Sequence, residues 1–339
     1  MSVPARLLAV ALAALVLPSA GALAQRLPVG ATVTSGSITA YTQLDADIDG
    51  GGDFHGSGVF AIGSVLRQFT PELTAGFTLR YDYEDWNFSS PAAFGAPPWG
   101  QLHRPSIGAT FVYATDAGLT FTAIPTVQWA YESGASTGDA LNWGAILAVS
   151  KAYSKDLTLG IGAGIFREID ETKAFPVVLV DWRINDRLRL ANPTQAGPAG
   201  GAGLELAWTL DDRWEIAGGG AWRTHRFRLD RNGPTPDGIG ERQSIPLMLR
   251  ATWRPAPASR LDLYAGVAVG GELTGGADPG PAGDLAGEVE MVDGRGVLVR
   301  APGLARQHPH DLELVAVGVG PVEALGRAVA RLPGERTGI

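Results

Sequence analysis

Residues Thr70 to Trp86 read TPELTAGFTLRYDYEDW. After the Thr-Pro-Glu turn, Leu73, Ala75, Phe77, Leu79, Tyr81 and Tyr83 share one parity; Thr74, Gly76, Thr78, Arg80, Asp82 and Glu84 share the other. Strict alternation of this kind is a β-strand with one apolar and one polar face. Ordinary strands run about 5–6 residues, whereas a strand crossing a bilayer at a tilt needs about 9–11. This stretch is long enough to cross. Its apolar row ends in two tyrosines, which suit the boundary between water and lipid. Arg80, Asp82 and Glu84 on the polar row require a wet interior.

The same alternation recurs at about 36–47, 57–69, 72–86, 104–115, 118–131, 141–153, 156–168, 174–184, 187–191, 202–210, 213–228, 241–254 and 260–273. The connections alternate in length, with only the link at Ile169–Lys173 intermediate. Thr70–Glu72, Thr115–Ala117, Ser154–Asp156, Asn185–Arg187, Asp211–Arg213 and the Pro255–Ser259 turn are short. Ile48–Gly56, Asn87–His103, Glu132–Ala140, Asn192–Gly201 and Asp230–Gly240 are long and rich in glycine or polar residues. Outer-membrane barrels have short periplasmic turns and long outer loops. A soluble sandwich has no reason to keep that order. The expectation is an all-β, antiparallel up-and-down transmembrane barrel of about 14 strands spanning residues 25–274. Pro125 falls in mid-strand, where a ladder donor is lost; a bulge would accommodate it.

The flanks differ from this body. Arg6, the apolar run Leu7–Leu17, Pro18 and Ala22-Leu23-Ala24 have the form of a signal peptide over residues 1–24. At the other end, all 27 aromatic residues lie at or before Tyr264, and the alternation fades after Leu273. Residues 275–339 therefore form an atypical tail, read either as a frame-changed end that replaces the closing strand or as an appended segment. Glu288–Val299 is a weak substitute strand, and Leu312–Leu332 reads as helix. The chain has no cysteine, hence no disulfide and no thiolate metal site, and its net charge of −8 argues against nucleic acid as a partner. No cofactor or metal site is expected.

The most distinctive segment is Lys173–Pro193, KAFPVVLVDWRINDRLRLANP. Val178, Val180, Trp182, Ile184, Leu188 and Leu190 make an outward row, leaving Asp181, Arg183, Arg187 and Arg189 to face inward. A Lys or Arg at the lipid midplane costs about 2–4 kcal/mol, which fixes the parity. This hairpin, with Leu204–Leu210 and Ile245–Trp253, resembles a family of proteobacterial outer-membrane β-barrels of unknown function. The resemblance covers about Ser35–Leu273. It implies a barrel, the cell outer membrane of a Gram-negative bacterium, contact with outer-membrane lipids, and assembly by the general barrel-insertion machinery. It transfers no catalytic residue.

Two constellations stand out. Arg80, Asp82, Glu84, Asp181, Arg183 and Arg189 form a candidate charged lumen, either selecting solutes or pairing among themselves to plug the pore. Arg223, Arg226 and Arg228, in WRTHRFR before a long loop, are candidate contacts for lipopolysaccharide phosphates. The function expected is passive: a porin-like or structural envelope protein. The alternative is an outer-membrane enzyme acting on lipid A or phospholipid, since His55, His103 and His225 fall in or beside the long loops. Against it, there is no G-x-S-x-G nucleophile motif.

Overall fold

Alternation becomes strand along the whole body of the chain. The segments are β1 (Thr32–Asp47), β2 (Asp53–Gln68), β3 (Leu73–Ser89), β4 (Gln101–Ala114), β5 (Leu119–Trp129), β6 (Tyr131–Glu132), β7 (Leu141–Ala152), β8 (Leu157–Glu168) and β9 (Glu171–Arg183). They continue as β10 (Leu188–Ala191), β11 (Gly203–Thr209), β12 (Trp214–Ala221), β13 (Arg223–Arg228), β14 (Ile239–Ala256), β15 (Ser259–Gly276), β16 (Leu304–Arg306) and β17 (Glu313–Ala316). The structure is a computed structural model and describes residues 28–48, 51–92, 94–192, 203–256 and 259–276, with the backbone of 304–306 and 313–316. The signal-peptide reading of 1–24 and the weak strand at 288–299 lie outside the described residues. Among the described residues the one helical turn is a 3-10 turn at Gly138–Ala140.

All segments join one sheet, and the sheet closes. With β5 and β6 taken as one interrupted strand and β12 and β13 as another, neighbours pair antiparallel from β1 round to β15, and β17 pairs with both β15 and β1. Closure gives each strand a neighbour on both sides, the arrangement by which a barrel meets its own backbone hydrogen bonds. The count is seventeen segments rather than about fourteen. The surplus arises where one neighbour serves two segments. β4 pairs both β5 and β6, β14 pairs both β12 and β13, and β15 pairs both β16 and β17. Glu313–Ala316, inside the stretch read as helix, is strand instead, held by Val267↔Leu314 and Thr42↔Ala316.

Pro125 is accommodated without a bulge. The β4–β5 register is the same on either side of it, Gly108↔Thr126 and Phe111↔Ala123, and the two pairs between are missing. On its other side the ladder runs through Pro125↔Ala145. The missing N–H is thus met by a local gap in one ladder.

The faces separate by parity. Outward rows carry exposed apolar side chains on nearly every strand: Phe77, Leu79 and Tyr81 on β3, Ile161 and Ile165 on β8, Leu204, Leu206 and Trp208 on β11, Leu247 and Leu249 on β14. Inward rows carry Thr74, Thr78, Arg80, Asp82 and Glu84 on β3, and Thr39, Tyr41 and Gln43 on β1, all buried.

The wall is uneven. β1, β2 and β3 have 16, 16 and 17 residues and β14 and β15 have 18 each, against 12, 12 and 13 for β7, β8 and β9. At the end that carries the long loops, the tall parts meet across the ring. Arg228 on β13 pairs in parallel with Tyr131 on β6, and the Arg228 N–H donates to the Ala130 carbonyl at 3.0 Å. Five strands, β7 to β11, separate these partners around the ring. The barrel is pinched at its long-loop end.

Candidate functional site in the lumen

The pinch is filled by apolar side chains from several elements. Phe54 on β2, Trp86 on β3, Trp99 in the β3–β4 loop, Leu102 on β4, Phe227 on β13 and Leu273 on β15 form one buried cluster. Trp99 is its hub, with ring centroids 5.4 Å from Phe88, 6.2 Å from Phe94 and 5.2 Å from Phe227, all edge-on. Aromatic pairs prefer this geometry over a face-to-face sandwich. The lumen is therefore capped at the long-loop end by a dry aromatic plug.

Glu132 ties the loops around the plug together. Its carboxylate accepts the Gly100 N–H at 2.7 Å and the Asp230 N–H at 2.9 Å. It lies past the apolar belt. Burial holds its pKa above the usual carboxylate range, with the two N–H donors opposing that shift in part. Removing it would strand both donors, at a cost of about 1–3 kcal/mol. Glu132→Ala is expected to speed amide hydrogen exchange at Gly100 and Asp230 by at least tenfold, with Glu132→Gln intermediate. Unchanged exchange at both amides would mean that the carboxylate does not hold the loops.

Below the plug the lumen is charged. Arg80 Nε donates to Asp82 Oδ1 at 2.6 Å, and Arg104 Nη2 to Glu84 Oε1 at 2.7 Å. Arg104 Nε also lies 3.6 Å from Asp82 Oδ2. All four side chains are nearly or fully excluded from solvent. Glu84 further accepts the Trp86 Nε1 hydrogen at 3.1 Å. Across the lumen, Arg242 on β14 lies over Trp86, 4.3 Å from the ring centroid, and donates to Gln43 Oε1 at 2.8 Å. A second network occupies the short-turn half of the opposite wall, where Arg250 bonds Glu205 and Glu215 (2.5 and 2.9 Å), with Asp262 at 3.5 Å.

The six lumen residues expected from sequence do not form one cluster. Arg80, Asp82 and Glu84 are together. Asp181 and Arg189 make a separate bidentate pair at 2.7 and 2.9 Å. Arg183 stands apart; its side chain is 62% exposed at the short-turn end, 3.9 Å from Asp156. Arg104, Arg242 and Arg250 were missed. Asp82 and Arg104 are direct cross-strand partners, so the strand register would have revealed Arg104.

The three arginines of the WRTHRFR stretch also divide. Arg223 turns into the lumen, where it and His225 line the same cavity as Arg242. Arg226 is engaged by Asp170 at 2.6 Å and Glu241 at 2.9 Å. Arg228 donates to the carbonyls of Asp139 and Asp237 and is buried. These three present no free guanidinium to the outside.

His55 and His103 are at the long-loop end of the outward face. His103 Nε2 is 2.9 Å from Ser133 Oγ, and its Nδ1 is 2.8 Å from the Tyr81 hydroxyl. His55 Nδ1 is 3.2 Å from Asp45, with Asp53 beside them; exposed acidic groups of this kind need no ion.

No protein-family model matches the chain, so the resemblance carried by Lys173–Pro193 stays a resemblance. No curated protein matches it either. Among solved structures, a deltaS2 mutant of the TodX monoaromatic hydrocarbon channel is 12% identical, with a TM-score of 0.42, over 90% of this chain and 93% of that one. An outer-membrane channel from Pseudomonas putida F1 is 12% identical, with a TM-score of 0.41, over 86% and 96%. The translocator domain of the autotransporter NalP from Neisseria meningitidis is 12% identical, with a TM-score of 0.31, over 87% and 89%. At this overlap they bear on neither substrate nor mechanism.

Proposed function

We propose that the chain is an integral outer-membrane β-barrel of porin-like kind, passing small polar solutes passively and closed at its long-loop mouth in the state described. One observation carries this: the two faces are inverted relative to a soluble protein. The outside is a continuous apolar belt, while buried Arg, Asp, Glu and Thr line the inside. Water-soluble monomers rarely expose contiguous apolar patches beyond a few hundred Å². The plug and the paired charges then make the resting pore narrow.

Ile161, 69% exposed at the middle of β8, provides the test. In water, an exposed Ile→Arg change is near neutral. At a bilayer midplane it costs about 2–4 kcal/mol. Ile161→Arg is expected to lower the unfolding free energy, measured by urea titration of the protein folded in vesicles, by about 2–4 kcal/mol, with Thr158→Ser on the same strand as the comparison. Equal stability of Ile161→Arg and wild type would remove the membrane reading.

A second reading rests on the Ser133–His103–Tyr81 chain of hydrogen bonds. A nucleophile, a base and a group orienting the base are the parts of an acyl-transfer site, here facing outward beside Tyr83 and Tyr131, where lipid esters would lie. If that chain hydrolyses lipid, purified protein will release fatty acid from phospholipid vesicles and Ser133→Ala will not. No release from wild type ends this reading.

A further inference from the structure

We infer that the lumen holds a binding site for a small anion between Arg223, Arg242, Gln43 and Tyr41. The first ground is charge. Arg80, Arg104, Arg223 and Arg242 converge on this part of the lumen, and the carboxylates among them are Asp82 and Glu84. Those two carboxylates are taken by Arg80 and Arg104. Arg242 bonds the Gln43 oxygen and covers the Trp86 ring, Arg223 Nε has no hydrogen-bond acceptor, and the one carboxylate on the wall of their cavity is Glu84, which Arg104 already engages. The Arg223 and Arg242 guanidiniums are half-buried, and with Arg80 and Arg104 they make four cations against two carboxylates, an excess that a bound anion would neutralise.

The second ground is an independent unmatched polar group. Gln43 is 1% exposed and Tyr41 8%. The Gln43 Nε2 amide has no hydrogen-bond partner among the described residues, and the Tyr41 hydroxyl beside it is directed at Glu84. Both line the same cavity as Arg223 and Arg242, with Glu84, His225 and Ser244 on its wall. Gln43 Oε1 is fixed by Arg242, which leaves its N–H₂ end to face the cavity. Buried donors are paired in the great majority of native structures. The Gln43 amide hydrogens and two guanidinium groups around one space are what a carboxylate or phosphate oxygen set would satisfy, and Arg is the side chain whose donor fork matches such groups.

Size limits the ligand. The space open to water centres is about 20 Å³, a little above the minimum for one water. A chloride, a carboxylate or a single phosphate fits; a sugar does not. The anion would sit beneath the aromatic plug, beside the Arg80–Asp82 and Arg104–Glu84 pairs. This goes beyond passive passage, because it gives the lumen a preferred sign of charge.

The test is titration calorimetry of inorganic phosphate into the full chain folded in neutral detergent at low salt. Binding is expected for wild type, with sulfate competing. Arg223→Gln and Arg242→Gln should each weaken it at least about tenfold, as the loss of a charge-assisted contact does. Should either variant fail to fold, Gln43→Glu serves instead: it sets a carboxylate in the cavity and should abolish phosphate binding while removing the excess charge. No heat or competition in wild type up to about tenfold over ordinary cellular phosphate levels overturns the site. Equal affinity in Arg223→Gln and Arg242→Gln overturns it too, since the ion is then bound elsewhere. The measurement needs no flux, so a protein that conducts without binding phosphate loses this site alone. One that binds without conducting loses the pore alone.

Discussion

Arg104→Met will be the most destabilising single change in the lumen. Arg104 is 2% exposed and faces two carboxylates, Glu84 at 2.7 Å and Asp82 at 3.6 Å. Breaking a buried pair from one side leaves an uncompensated charge and costs about 3–5 kcal/mol. Here two carboxylates lose a partner together. Arg80 keeps Asp82 at 2.6 Å, so the larger burden falls on Glu84. The unfolding free energy in vesicles should therefore drop by about 3–5 kcal/mol, and most of it should return in Arg104→Met combined with Glu84→Gln, which discharges the stranded partner. Replacement of both partners by neutral groups is often nearly free. A loss below about 1 kcal/mol in the single variant would mean that lumenal water screens the network as it does a surface pair.

The second large effect concerns the mouth. Trp99→Ala combined with Phe227→Ala should raise single-channel conductance in planar bilayers several-fold over wild type, whose openings should be small and rare. Trp99 touches Phe88, Phe94 and Phe227 edge-on, and Phe227 is 1% exposed. Deleting two such rings empties the centre of the plug, and each truncation costs about 3–5 kcal/mol of packing. That cost is local to the loops, because the ring of strands is held by ladders the plug does not supply. Conductance as low as wild type, in protein that still resists unfolding, would place the barrier in the arginine layer instead.

The fold was legible because a barrel writes its own parity. Each of the thirteen alternating segments is strand, and the alternation of short and long connections gives the two ends their character. What the sequence left unread depends on neighbours. Arg104 looks like any polar residue in QLHRPS until β3 and β4 are set in register, when it falls opposite Asp82. Arg242 and Trp86 lie on strands that meet only across the lumen. Phe54, Trp99 and Phe227 sit in or beside long loops, where no period announces that they converge. Arg223 and Arg226 are three residues apart on a strand whose register against β14 is unbroken, so they take opposite faces, which a single run of basic and aromatic residues conceals.

The longest ladders are gathered on one side of the ring: β2 and β3 face each other over sixteen pairs, β3 and β4 over thirteen, and β14 and β15 over fifteen. Heat or pulling would breach that side last, so the tall wall beneath the mouth would act as the keel about which the rest of the molecule loosens.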